Sequence, residues 1–298
     1  MKSKWVLVLV VVLVVLFAIT LLSVLAAVAA GAAVSGNQVA LIHLDGVIAA
    51  GGDSTVSTPE EIGEALRRAD RTPTVKAIVL RVDSPGGTAA ASQEIAMEVE
   101  RTKKPVVVSI ADVGASGGYM VSAAADEIVA LPASEVGSIG VIIQLPNIQG
   151  LADKYGVKMG IIKQGKHKDM GNPFRPLTEE ERRILQADTK VTYDQFIEQV
   201  AKGRDLPVAK VRELATGRVW VGTEARELGL VDRLGTLQDA IDRAGRLGKI
   251  RGRPNVVDYD APSFDGLIDI LLGTGGVRKA MSAALGASPA AGRSPINY

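Results

Sequence analysis

After the polar linker Ser35-Gly36-Asn37, short runs rich in β-branched residues alternate with longer runs whose apolar positions recur at helical spacing. This is the pattern of βα units around a largely parallel sheet, so the fold class is α/β. VALIHL (39–44), KAIVLRV (76–82) and PVVVSI (105–110) read as buried strands. Residues 59–69 and 89–104 between them read as helices, the first with Thr58 as N-cap and Pro59 at the first helical position. EIVAL (127–131), GVIIQL (140–145) and KMGIIKQ (158–164) predict further strands. From Thr178 the pattern turns helical: one long amphipathic segment opens on the capping-box-like Thr178-Glu179-Glu180-Glu181, and helix signals continue over 223–228 and 237–247.

The two ends differ from this middle. Residues 5–34 are apolar, interrupted only by Thr20, Ser23 and Gly31, and the run exceeds the roughly 20 apolar residues that cross a bilayer. It reads as a retained anchor; the alanine-rich end also offers signal-peptidase sites, so cleavage is the alternative. Lys2 and Lys4 precede the span and no basic cluster follows closely, which leaves residues 1–4 cytoplasmic and the rest outside. The resulting division is anchor 5–34, linker 35–38, α/β domain 39–247 and C-terminal extension 248–298. Within that extension FDGLIDILL (264–272) is too short to span a membrane and reads as a helix docked on the body or a neighbouring subunit; the last dozen residues read as mobile.

Composition narrows the function classes. A formal net charge of +1 across 298 residues, with acids and bases in short mixed runs, makes no field for a phosphate backbone, so nucleic acid is not an expected partner. With no cysteine there is no disulfide, no thiolate nucleophile and no cysteine-ligated metal. No metal or other cofactor is expected.

The stretch VGASGGYM (113–120) places Ser116 in a G-x-S-x-G frame, which elsewhere marks the nucleophile of a Ser-Asp-His triad. The chain has two histidines. His43 precedes Ser116 and alternates with Ile42 and Leu44, which points it away from the core. His167 lies mid-chain with most of the helical region still to come, where a triad histidine fits poorly. The frame alone is weak in a chain with 32 glycines, and its plain alternative is a small-residue helix start packed on a strand. A serine nucleophile needs a base and oxyanion donors. Lysine can be that base where desolvation disfavours its ammonium form. DSPGG (83–87), between a strand and a helix, can bring backbone N–H groups up to a ligand. In QGKHKDMG (164–171), Lys166 and Lys168 share one face if the chain stays extended, with His167 on the other. Spacing does not choose between the two lysines.

Taken together, SPGG (84–87), ASGGYM (115–120), VGSIGVI (136–142), GKHKDMGNPFRPLTEEER (165–182) and GRVWVGTEARELGLVD (217–232) resemble, in order and spacing, the signal peptide peptidase A family in its short, single-repeat form. The resemblance runs from about residue 39 to about residue 244. It implies a membrane-anchored serine protease of the ClpP/crotonase-type fold, with a repeated ββα core, that cleaves released signal peptides with a Ser/Lys dyad. By position, Ser116 corresponds to the nucleophile and Lys168, not Lys166, to the general base. Ser138 corresponds to the hydroxyl that orients the lysine, and the N–H groups of Gly87 and Gly117 to the oxyanion hole. Gly117 directly follows the nucleophile, and Gly87 is predicted at a helix start. Met120 stands where the family has a second aromatic. The implied assembly is a dome-shaped homo-oligomeric ring, an octamer, in which serine and lysine of one site come from adjacent subunits. Asp83 and Asp169 are tempting carboxylates, but a dyad needs no third acid and a charged partner would oppose the lysine's use as a base.

Two other functions share parts of this pattern. A crotonase-type acyl-CoA enzyme uses the same glycine-rich oxyanion loop but needs neither the serine nor the anchor. A membrane scaffold could keep the fold without activity.

Overall fold

In the computed structural model, residues 14–23, 37–51 and 56–259 are described. Strand β1 (Gln38–Ile48) starts the sheet because every second residue is fully buried: Ala40, Ile42, Leu44. His43 between them is half-buried. Next come β2 (Val56–Ser57), helix α1 (Pro59–Arg71), β3 (Val75–Gly87), α2 (Ala89–Arg101), β4 (Val106–Ala115) and the short α3 (Gly117–Ser122). Helix α1 starts where expected: the Thr58 side chain accepts from Glu61 N and Pro59 occupies the first turn. Strands β5 (Glu127–Ala130) and β6 (Glu135–Gly137) are followed by α4 (Gln149–Lys154), the 25-residue α5 (Glu179–Gly203) and α6 (Val208–Leu214). Then come β7 (Val219–Val221), α7 (Gly222–Glu227), β8 (Arg233–Leu234), α8 (Leu237–Leu247) and β9 (Asn255–Asp258). The capping box at Thr178 is present, its hydroxyl taking the Glu181 N–H while the Glu181 carboxylate takes the Thr178 N–H.

The strand order is β2-β1-β3-β4-β5-β8, with β6 branching from β4 and β9 paired with β1. The β1/β2, β1/β3, β3/β4, β4/β5, β4/β6 and β5/β8 pairs are parallel, and β6/β7 is antiparallel. The molecule is therefore α/β with a largely parallel sheet, as the alternation predicted. On one face Val39, Ala77, Val79, Val107 and Val129 pack against Ala240, Ile241 and Ala244 of α8. The opposite face buries Ile42, Leu44, Ile78 and Leu80 together with Leu66 of α1 and Ile95 of α2. Each such side chain contributes about 1.5–3 kcal/mol on burial. Residues 1–257 form one compact unit and 258–298 a second, of which only 258 and 259 are described.

Several sequence expectations need correction. Residues 140–145 and 158–164 are not strands. Their apolar side chains find no sheet among the described residues: Ile142 is 80% exposed and Ile162 fully so. Residues 164–171 are not extended but run through turns, so Lys166 and His167 do not fall on opposite faces; both reach Glu180. SPGG does not precede a helix directly; it completes β3, and Thr88 stands between it and α2, at the N-cap position but without a side-chain cap bond. Of the expected anchor, residues 14–23 are helical and the remainder lies outside the described residues, as does 264–272. Among the described residues no helix is long and apolar enough to cross a membrane.

Tyr119 shows how α3 is held. It is fully buried, and its hydroxyl donates to the Leu230 carbonyl at 2.8 Å. Burial pushes the phenol well above its ordinary range. Tyr119→Phe strands that carbonyl without its donor and should lower stability by about 1–3 kcal/mol, read as a lower urea midpoint at unchanged slope.

Candidate active site

Strand β4 ends at Ala115 and α3 starts at Gly117, which leaves Ser116 alone in the turn with φ 51° and ψ −122°. A side chain at positive φ is uncommon and persists only where its surroundings impose it. Here the Ser116 N–H donates to the Gly137 carbonyl at 2.8 Å and the Ser116 carbonyl accepts from Met120 N at 2.9 Å. The turn also presses against the end of β3. A Cβ on Gly86 would sit 2.6 Å from Gly117 N and 2.8 Å from Ser116 Cβ. One on Gly117 would sit 2.1 Å from Ser92 Oγ and 3.2 Å from Gly87 N. Only hydrogen fits at either position, and the N–H groups of Gly87 and Gly117 become neighbours beside the serine. The first N–H groups of a helix lack intrahelical partners, so that of Gly117 is a donor without one in α3.

The β4/β6 register brings up the second serine. Ala115 pairs with Gly137, so the next residue on each strand is a serine, and Ser138 likewise adopts φ 51°. Its N–H donates to the Arg218 carbonyl at 2.9 Å. Ser116, Ser138, Gly87 and Gly117 all line one open cleft of about 780 Å³. Met120, Phe196, Val141 and Ile142 add apolar wall.

The general base expected from the sequence is not in that cleft. Lys168 is exposed, in the turns that precede α5. Those turns are tied down by charge. Lys163 donates to Asp169, and Lys166 to Glu180, which His167 also approaches at 3.4 Å. Arg175 binds Asp169 through Nε at 3.0 Å and Glu181 through both terminal nitrogens at 2.8 and 2.6 Å. Hydrogen bonds from Arg175 and Lys163 hold the Asp169 carboxyl far below the usual carboxylate range. Asp83 accepts from Val113 N at 3.0 Å and is outside the cleft. Sequence reasoning missed the cleft wall from α5, where Gln186, Thr189, Lys190 and Tyr193 face the serine's cleft. Their helical spacing was visible, but not which element they would face. Lys190 is the one lysine on that wall among the described residues, and its Nζ is engaged by Asp194. Among the described residues no group of three or more His, Asp or Glu side chains could hold a metal ion.

The charge clamp makes stability acid-sensitive. Arg175 and the Thr178 N–H hold Glu181 at about 2, against an ordinary 4.5. Between these values the unfolded chain binds more protons than the folded one. The contribution is therefore fully present above about pH 4.5 and is lost as pH falls towards 2. Asp169 adds to the same slope. Urea midpoints measured across this window should fall with pH in the native chain and less steeply in Glu181→Gln.

The match to known proteins extends over both turns. The family model described as peptidase family S49 matches residues 98–251. A candidate protease of Methanocaldococcus jannaschii is 43% identical over 66% of this chain and 63% of its own length. A candidate signal peptide peptidase SppA of Enterococcus faecium is 37% identical over 76% of this chain and 67% of its own. The chain thus spans about two thirds of the length of these relatives. A solved variant of the membrane-bound stomatin-specific protease 1510-N shares the fold at 16% identity, with a TM-score of 0.51, over 76% of this chain and 99% of that one. The chain belongs to peptidase family S49 and is a serine peptidase.

Proposed function

We propose that this chain is a membrane-anchored endopeptidase of the ClpP/crotonase-type fold that hydrolyses released signal peptides and other extended apolar peptides. Ser116 is the nucleophile and Lys168 the base. The observation that carries the reading is Ser116 at positive φ, adjoining the Gly87 and Gly117 amides in a cleft with apolar walls. The Enterococcus relative's name supports the substrate class, and the apolar run 5–34 supports the anchor.

The lysine comes from an adjacent copy in a homo-oligomeric ring, which we take to be an octamer. Two observations support this. Lys168 is outside its own chain's cleft. The segment before it exposes Ile142, Leu151, Tyr155, Val157, Met159 and Ile162 at 52% or more, a concentration of open apolar side chains of the kind that marks an interaction surface. A lysine enclosed between subunits loses water, and desolvation favours the neutral amine. Lys168 Nζ takes the proton of Ser116 Oγ, and Oγ attacks the scissile carbonyl carbon. The Gly87 and Gly117 N–H groups stabilise the oxyanion, and Ser138 orients the lysine. Collapse breaks the C–N bond and the amine leaves with the proton from Lys168. Water, deprotonated by Lys168, then attacks the ester; the peptide acid departs and Ser116 regains its proton.

Labelling by a serine-reactive fluorophosphonate and cleavage of an apolar peptide test this. Ser116→Ala and Lys168→Ala should each be inactive alone. An equimolar mixture should regain activity at about one site in four, where Ser116 of one variant meets Lys168 of the other. Full labelling of Lys168→Ala would remove Lys168 from the chemistry. Two inactive variants that stay inactive when co-assembled would place the base in the serine's own chain.

A further inference from the structure

The guanidinium of Arg175 makes an unusual number of local bonds for a side chain outside the cleft. Besides its pairs with Asp169 and Glu181, Nη2 donates to the Asp169 backbone carbonyl at 3.0 Å and Nη1 to the Pro176 carbonyl at 3.0 Å. Asp169 follows Lys168 directly, so this bond grips the main chain one residue from the base. At the other side of the fork, the Glu181 side chain is only 4% exposed. Its carboxylate is shared between Arg175 and the Thr178 N–H, which locks it to the first turn of α5. About two to three turns further along the same helix, Thr189, Lys190 and Tyr193 form the wall of the chain's own Ser116 cleft. A planar, bidentate fork fixes both distance and orientation in a way a lysine cannot.

From this we infer that Arg175 is a positioning residue for Lys168: it fastens the lysine-bearing turns to α5, so that the helix shaping one chain's cleft also sets where that chain presents its lysine. Arg175 touches neither serine and takes no part in proton transfer. The inference rests on the reading of Lys168 as the base donated to a neighbouring copy. A misplacement of about 1 Å in a catalytic group can cost about a hundredfold in rate. Loss of the fork should therefore act on the chemical step and not on peptide binding.

The test uses full-length rings carrying Arg175→Gln, with ring size and thermal midpoint recorded. The expected result is a kcat lower by about ten- to a hundredfold at a KM within about twofold of the native value, with Arg175→Lys intermediate. Co-assembly separates a misplaced lysine from a damaged subunit. Mixed with Ser116→Ala chains, Arg175→Gln chains should regain activity at about one site in four, because their own Ser116 then meets a well-placed Lys168 from the other variant. A native kcat in Arg175→Gln would overturn the inference. So would an Arg175→Gln and Ser116→Ala mixture that stays inactive while the Lys168→Ala and Ser116→Ala mixture recovers. If that second mixture also stays inactive, it is the donated-lysine reading that fails. Should Arg175→Gln not assemble, Arg175→Lys and Glu181→Gln are read by the same mixtures and criteria.

Discussion

The site depends on two backbone turns packed closer than side chains would allow. The end of β3 and the start of α3 meet through Gly86 and Gly117, where a methyl group on either would fall within 2.6 Å of a neighbouring atom. That contact holds two amides side by side and leaves the serine between them no ordinary conformation. The parallel pairing of β4 with β6 then sets the second hydroxyl one residue beyond the pair Ala115 and Gly137. Neither effect is a strong interaction in itself. They work because the sheet beneath is rigid, its central strands buried on both faces.

Much of this was legible in the chain. The β-branched runs at 39–44, 76–82 and 105–110 became the central strands because burial on both faces leaves a continuous apolar signature that needs no partner outside the chain to be read. The Thr58 and Thr178 caps were visible because capping is local chemistry, decided within four residues. The serine in ASGGYM, its flanking glycine and SPGG could be picked out because close backbone packing demands small residues in both segments.

What was not legible shares one physical cause. The runs 140–145 and 158–164 have strand composition but no strand, since a strand exists only when another backbone pairs with it, and among the described residues none does. Lys190 and the other residues of the cleft wall could be placed on a helix but not aimed, since amphipathic spacing names a face and not what it faces. Lys168 could be singled out by resemblance, yet its place relative to the Ser116 cleft is a property of how the turns and α5 are arranged in space. Length gave no hint that Arg175, between two prolines' worth of irregular chain, would bind a carboxylate on each side.

The conformation shared by Ser116 and Ser138 also limits which residues can replace them. At φ 51° a β-branched side chain is a steric outlier, while serine carries its hydroxyl on an unbranched carbon. Threonine, the nearest chemical equivalent of serine and a competent nucleophile in other settings, is therefore shut out of both positions by the backbone alone. The alphabet open to these two sites during divergence is set by main-chain geometry before any question of reactivity arises.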